Sequence, residues 1–368
     1  MQTVKNISSI QYFLNRFPTL DHGFDYSVNY HPDAESQFTS LPTFVAEFFN
    51  CKVNTCPLLV TEEGHMITQH VWNITHKNKH KPDKTHDMWK TWKDNIDLDL
   101  PPVTKHFNET YTYVWLPFDN EAASNPWHIW IDVISKFRLI NKCPHGELWA
   151  SDFSKYVFIL PTQSKYFDLI AKEFFPKLKY MVMPKGETWQ FKHILVPSAS
   201  NHSDGVITPG LAPWIREQKN KLNVNSERKR KIFISRDDAK TRKLLNAEQL
   251  MLALQGWETV TLENLSIKEQ VKCFTEASHI IAPHGAGLAN LLWCGPGTKV
   301  IEIQDPKMIR KKVYPVLSHH LGLEHQLYLA RTVPIKFTGS KRDMGVKRLN
   351  DLINFEVNIP DLISCLDN

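Results

Sequence analysis

Residues 279–303 read HIIAPHGAGLANLLWCGPGTKVIEI. The apolar run Ile280-Ile281-Ala282 suits a strand covered on both faces of a parallel sheet. Pro283-His284-Gly285-Ala286-Gly287 interrupts it, Ala286–Trp293 has helical composition, and Lys299–Ile303 is a second apolar strand after Gly295-Pro296-Gly297. Strand, glycine turn, helix, strand is a βαβ unit. Glycine at the turn lets a ligand approach the backbone, and the N–H groups of a helix start attract anions such as a diphosphate. A tight turn in any Rossmann-like domain would read the same way, so the neighbouring segments have to decide.

Upstream, Lys231-Ile-Phe-Ile-Ser235-Arg236-Asp237-Asp238-Ala-Lys-Thr-Arg242 sets Arg236 at the carboxyl end of a strand, where open α/β sheets bind ligands. Two arginines can neutralise a diphosphate through bidentate contacts. The competing reading salt-bridges Arg236 and Arg242 to Asp237 and Asp238. Asn246 stands where it could cap a helix. Ser266 and Glu269 have capping-box spacing at the next helix start, and Glu263 lies in the loop before it, beside the expected base or ribose. Glu302 is a carboxylate inside an apolar strand. It therefore needs a partner, such as a ligand hydroxyl or an arginine.

The chain has 368 residues, a hydrophobic fraction of 42% and a net charge of +5. That is room for about two domains of an ordinary globular protein. The charge fits an anionic small molecule or peripheral contact with a membrane surface, and does not demand nucleic acid. No apolar run reaches the ~20 residues that span a bilayer, and Met1–Arg16 lacks the pattern of a signal peptide. Six scattered cysteines read as thiols. The expected compartment is the cytoplasm, at the inner face of the membrane; a lumenal protein whose anchor has been removed stays open.

Residues 1 to ~110 are irregular in pattern, with short strand or helix pieces at Thr43–Phe49 and Pro57–Val60. The segment His76–Lys93, with His76, His80 and His86, matches no metal template and reads as a basic loop. Trp89 and Trp92 within it could offer sugar-stacking faces. Asp97-Leu98-Asp99 spells the Asp-x-Asp of metal-dependent transferases but lies beside Pro101-Pro102, as a loop would. From Tyr111 strands and helices alternate, which predicts parallel sheets. The expected domains are 1–208, 209–345 and a helical segment 346–368.

In the first of these, Asn125-Pro-Trp127-His128-Ile-Trp-Ile-Asp132 puts His128 and Asp132 one helical turn apart on one face. A histidine oriented by a carboxylate is a candidate general base; a hydrogen-bonded structural histidine is the alternative. Asn125 and Trp127 then become candidate acceptor contacts.

These motifs resemble those of the family 61 glycosyltransferases. The resemblance runs through Asn125, His128 and Asp132; Ser235-Arg236, Arg242 and Asn246-Ala-Glu248; Leu262-Glu263, Ser266 and Gln270; His284-Gly285-Ala286-Gly287-Leu288 with Asn290; and Val300-Ile301-Glu302. It spans residues ~125–303, and nothing before ~110 matches. It implies an α/β protein of GT-B type, two Rossmann-like domains with mainly parallel sheets facing across a cleft. A nucleotide sugar, most commonly a UDP-sugar, would lie in the C-terminal domain. Its expected contacts are Arg236, Arg242, Glu263, His284, Gly285, Ala286, Gly287, Asn290 and Glu302. The acceptor, a glycan that could be lipid-linked, would sit mainly in the N-terminal domain. It further implies inversion at the anomeric carbon without an essential metal or other cofactor, in polysaccharide biosynthesis such as that of capsules. The competing functions are a non-catalytic sugar- or nucleotide-binding protein on the same fold, and a nicotinamide-dependent oxidoreductase. The second lacks a Gly-x-Gly-x-x-Gly after a first strand with an acidic residue ~20 positions on.

Overall fold

The computed structural model describes residues 5–7, 25–31, 34–39, 42–55, 58–67, 101–108, 110–118, 120–142, 153–198, 201–202, 206–207, 210–224, 227–308, 312–335 and 353–366. The His76–Lys93 and Asp97–Asp99 readings lie outside the described residues. The chain forms two compact units. One comprises residues 1–24 and 39–211, the other 25–38 and 212–368. The hairpin Asp25–His31/Ala34–Thr39, up to Phe38, thus goes with the second unit despite its place in the sequence.

The first unit is built on a mixed nine-stranded sheet. Its parallel part runs Thr188–Pro197, Thr112–Trp115, Tyr156–Leu160, Lys179–Val182. Every residue of Tyr156–Leu160 is buried, as the unbroken apolar run requires of a strand covered on both sides. The other part, Val45–Asn54, Leu58–Val60 and His65–Ile67, pairs antiparallel, and Val45–Asn54 runs antiparallel to Thr188–Pro197. Most pairings in this sheet are parallel, as expected, and an antiparallel part is joined to them. The cause of that part is connection length: three residues join Asn54 to Leu58 and four join Val60 to His65, whereas a parallel crossover takes about a dozen. Ser164 caps helix Lys165–Phe174 by accepting from Phe167 N at 3.2 Å, and its hydroxyl donates to Ala123 O at 2.7 Å. One buried residue thereby fixes the helix start against a second segment.

The segment 126–142 is not one continuous helix. It proceeds as an α-turn Pro126–His128, a π-turn Ile129–Val133, a 3₁₀ turn Ile134–Lys136 and an α-helix Phe137–Lys142. The change of winding turns Lys136 and Arg138, which polarity would send outward, to 1% and 2% exposure.

The second unit carries a five-stranded, wholly parallel sheet. In chain order its strands are Arg230–Ile234, Glu258–Val260, Ala277–Pro283, Lys299–Gln304 and Glu324–Leu329; in space they run second, first, third, fourth, fifth. The direction of chain travel reverses between the first and third strands. Such a switch point leaves a crevice outside the carboxyl ends of those two strands, where doubly wound sheets take their ligands. The helix Val313–Leu321 stops at Gly322, whose φ of 72° is the left-handed cap that glycine adopts at least cost. Strand Arg331–Pro334 pairs antiparallel with Ile353–Glu356, and Leu244, Leu250, Phe355 and Leu362 share one buried cluster. The C-terminal segment is therefore part of this unit's core. Among the described residues no helix is long and apolar enough to cross a membrane.

Candidate functional site

Arg236 and His284-Gly285 follow the first and third strands of the parallel sheet directly, so both border the switch-point crevice. Neither Arg236 nor Arg242 is salt-bridged to a described residue, because Asp237 is committed elsewhere: Ser235 Oγ donates to its Oδ2 at 2.6 Å. That removes the reading in which the two arginines merely pair with neighbouring aspartates. Arg242 Nη1 donates to His284 O at 3.1 Å, and the Nε atoms of both arginines are buried without a hydrogen-bond partner. Burial, and next the charge of Arg242, lower the Arg236 guanidinium to about 10, so it stays cationic at neutral pH. Two half-buried guanidiniums, each with a buried Nε donor unspent, call for an anion. Arg242 also has a φ of 59°, uncommon for a non-glycine residue and of the kind concentrated at ligand sites.

Gly285 is extended in backbone, and its constraint is steric: an added Cβ would lie 2.0 Å from Arg236 Nη1. Ala286–Trp293 is a 3₁₀ helix rather than the expected α-helix. Six of its eight residues, from Leu288 on, are buried, which favours the tighter winding over a solvent-facing amphipathic one. Asn290 is buried and donates to Gln270 Oε1 at 3.0 Å and Gly287 O at 3.2 Å. Gln270 in turn donates to Leu262 O and Leu265 O, each at 3.1 Å. The two amides clamp the 262–265 loop to the glycine turn, so Asn290 shapes the site with its own amide group. Glu263, in that loop, is exposed. Ser266 and Glu269 form the expected capping box. Asn246 does not cap its helix. Its amide donates to Val357 O at 2.8 Å and accepts from Val357 N at 3.2 Å, because the C-terminal segment runs past it.

Glu302 is fully buried and pairs with two histidines rather than with an arginine. His284 Nδ1 bonds to Oε1, and His325 Nε2 lies 3.0 Å from Oε2. Burial on its own would raise this carboxyl; the charge and hydrogen bond of His284, with His325 behind, outweigh it and hold the group at about 2. Ser318 Oγ lies 2.8 Å from His325 Nδ1, and Tyr314 donates to Gly285 O at 2.6 Å while its ring meets His284 edge-on at 5.3 Å.

In the first unit His128 Nδ1 lies 2.6 Å from Asp132 Oδ2, with side-chain exposures of 18% and 3%. His128 ends the α-turn and Asp132 lies in the π-turn that follows, and π-turns recur at functional sites. A buried carboxylate on Nδ1 selects the tautomer with its basic lone pair on Nε2, as a general base requires. Asn125 accepts from Trp127 N at 3.0 Å as the helix cap, and Trp127 is buried, so both support the His128 turn. Lys136, a further turn on, is lowered to about 8 by burial, with the Asp132 charge opposing. Among the described residues no group of three His, Cys, Asp or Glu side chains is arranged to hold a metal ion.

With this geometry in view, the glycosyltransferase 61 family model matches residues 127–301. The matched segment covers just under half of the chain. The chain also resembles β-1,2-xylosyltransferase RCN11 of Oryza sativa subsp. japonica, 30% identical over 133 residues, covering 33% of this chain and 22% of the rice protein. A β-1,2-xylosyltransferase of Arabidopsis thaliana is 28% identical over 106 residues, 24% of this chain and 20% of that protein. The matched region is thus about a fifth of the length of either plant relative.

The family segment contains His128, Asp132, Arg236, Arg242, Glu263, the glycine turn and Asn290, and stops one residue before Glu302. Tyr314, Ser318 and His325 lie beyond it, and no reading of the sequence singled them out. One signal was present: His325 interrupts a short strand just as Glu302 interrupts its neighbour.

Proposed function

We propose that this protein is an inverting glycosyltransferase that moves a sugar from a UDP-sugar to a hydroxyl of a glycan acceptor, in polysaccharide biosynthesis and without a metal ion. One observation carries the reading. Two half-buried arginines, each with a buried Nε that lacks a hydrogen-bond partner, and a glycine turn lie together outside the carboxyl ends of the first and third strands of a parallel sheet. Transfer with inversion needs positive charge on the departing diphosphate and a base for the acceptor hydroxyl. In this reading Arg236 and Arg242 supply the charge, Gly285–Gly287 brings backbone close to the phosphates, and His128, oriented by Asp132, takes the proton. The two units then serve as the donor and acceptor halves of a GT-B arrangement. Because the two plant relatives are named β-1,2-xylosyltransferases, a pentosyl donor such as UDP-xylose heads the sugars to try.

The test is a panel of nucleotide sugars, scored with EDTA present for free nucleotide and for sugar joined to a glycan acceptor. Turnover of one donor that is lost in His128→Ala supports the reading. Nucleotide binding with no turnover of any donor would instead favour a non-catalytic binding protein, and unchanged turnover in the variant would remove His128 as base.

A further inference from the structure

We infer that Glu302, His325 and Ser318 are positioning residues that hold the His284 ring in the orientation and protonation state in which it meets the donor diphosphate. This rests on the reading of the site given above. The three residues come from separate elements: Glu302 from strand Lys299–Gln304, His325 from Glu324–Leu329 and Ser318 from helix Val313–Leu321. They form one buried hydrogen-bonded line, Ser318 Oγ to His325 at 2.8 Å, His325 to Glu302 at 3.0 Å, and Glu302 to His284 Nδ1. An ionised Glu302 only accepts, so both histidines donate to it. His325 then has its proton on Nε2, and its Nδ1 takes the Ser318 hydroxyl proton in a hydrogen bond. His284 has its proton on Nδ1.

This order has a chemical consequence. With Nδ1–H on Glu302, the neutral His284 ring has only a lone pair on Nε2 and repels a phosphate oxygen. It becomes a second donor only as the imidazolium, and the buried Glu302 carboxylate is the group that stabilises that cation. Among the described residues, the other charged or titratable groups set around His284 include Arg242, which donates to its carbonyl; Arg236 beside Gly285; and Tyr314 against its ring. The two arginines oppose a third positive charge while the site is empty, and the diphosphate removes that opposition. His284 therefore takes up its second proton from solvent as the nucleotide binds. Glu302 touches no ligand in this account, and neither do His325 or Ser318.

The experiment reads the imidazole ¹⁵N resonances of the full chain with and without saturating UDP, with His284→Ala assigning the ring, alongside UDP titration calorimetry. The expected spectrum has His284 protonated on Nδ1 when free and on both nitrogens with UDP. Glu302→Gln should weaken UDP by roughly 10- to 100-fold, the worth of one charged hydrogen bond, and abolish the doubly protonated form. Ser318→Ala, a gentler change, should shift both readouts in the same direction by a smaller amount, and it decides the matter if Glu302→Gln fails to fold. A free His284 protonated on Nε2, or unchanged UDP affinity in folded variants, would overturn the relay while leaving the proposed function intact. If UDP does not bind the wild type, the proposed function falls, and the spectrum of the free ring still decides whether the relay sets its tautomer.

Discussion

Arg236 occupies the volume that a side chain at position 285 would need. A Cβ on Gly285 would sit 2.0 Å from its Nη1 and 2.9 Å from its Cζ. Because the Gly285 backbone is extended, Gly285→Ala is a change of packing and not of backbone strain. The guanidinium has to move out of the crevice. UDP affinity is expected to fall by about tenfold or more, the loss of one charged contact, with a smaller effect on melting temperature. Calorimetry beside thermal unfolding checks this; an unchanged affinity would mean that Arg236 does not meet the nucleotide.

His128→Ala and Asp132→Asn should separate the two members of the first-unit pair. Loss of a general base costs roughly 10²–10⁴ in kcat. Asp132→Asn keeps the shape but leaves Nδ1 without a carboxylate, and should lose less while KM for the donor stays unchanged. Steady-state kinetics with the donor identified by the panel reads both numbers.

Lys136 gives a pH signature in the same segment. Its ammonium, 1% exposed, has a folded value of about 8 against 10.5 in the free side chain. Between those two values the unfolded chain holds a proton that the folded protein has released, so stability rises with pH across that window. Below about 8 the full cost applies. Relative to Lys136→Met, wild-type stability should gain on the order of 3 kcal/mol from pH 8 to 10.5, measured by denaturant unfolding at a series of pH values.

Glu302 has the opposite sign. Its folded value of about 2 lies below the ordinary 4.5, so its contribution is complete above 4.5 and disappears as pH falls toward 2. The stability difference between wild type and Glu302→Gln should therefore shrink by about 3 kcal/mol over that interval. A constant difference would mean that the carboxylate is not held ionised by His284 and His325.

The parallel sheet of the second unit was legible because each strand announces itself locally. Ile280-Ile281-Ala282 is an unbroken apolar run ended by Pro283, and Val300-Ile301 is a second apolar run shortly after Gly295-Pro296-Gly297. The capping box at Ser266 and the His128/Asp132 spacing are local too. What was not legible depends on how strands are ordered in space. Glu302 meets His284 and His325 only because the third, fourth and fifth strands lie side by side, so an arginine was as plausible a partner from spacing alone. No residue type marks the π-turn at Ile129–Val133, so the inward turn of Lys136 and Arg138 could not be read from the sequence. Asn246 looked like a cap because its true partner, Val357, is 111 residues away.

The central claim is that a donor diphosphate binds outside the carboxyl ends of strands Arg230–Ile234 and Ala277–Pro283, against Arg236 and Arg242. Its most direct test is calorimetric titration of UDP into the wild type, Arg236→Ala and Arg242→Ala, with NAD as the control ligand. The account predicts saturable UDP binding by the wild type, a loss of about 10- to 100-fold in each variant, and no binding of NAD. UDP affinity that is unchanged in both arginine variants would contradict it.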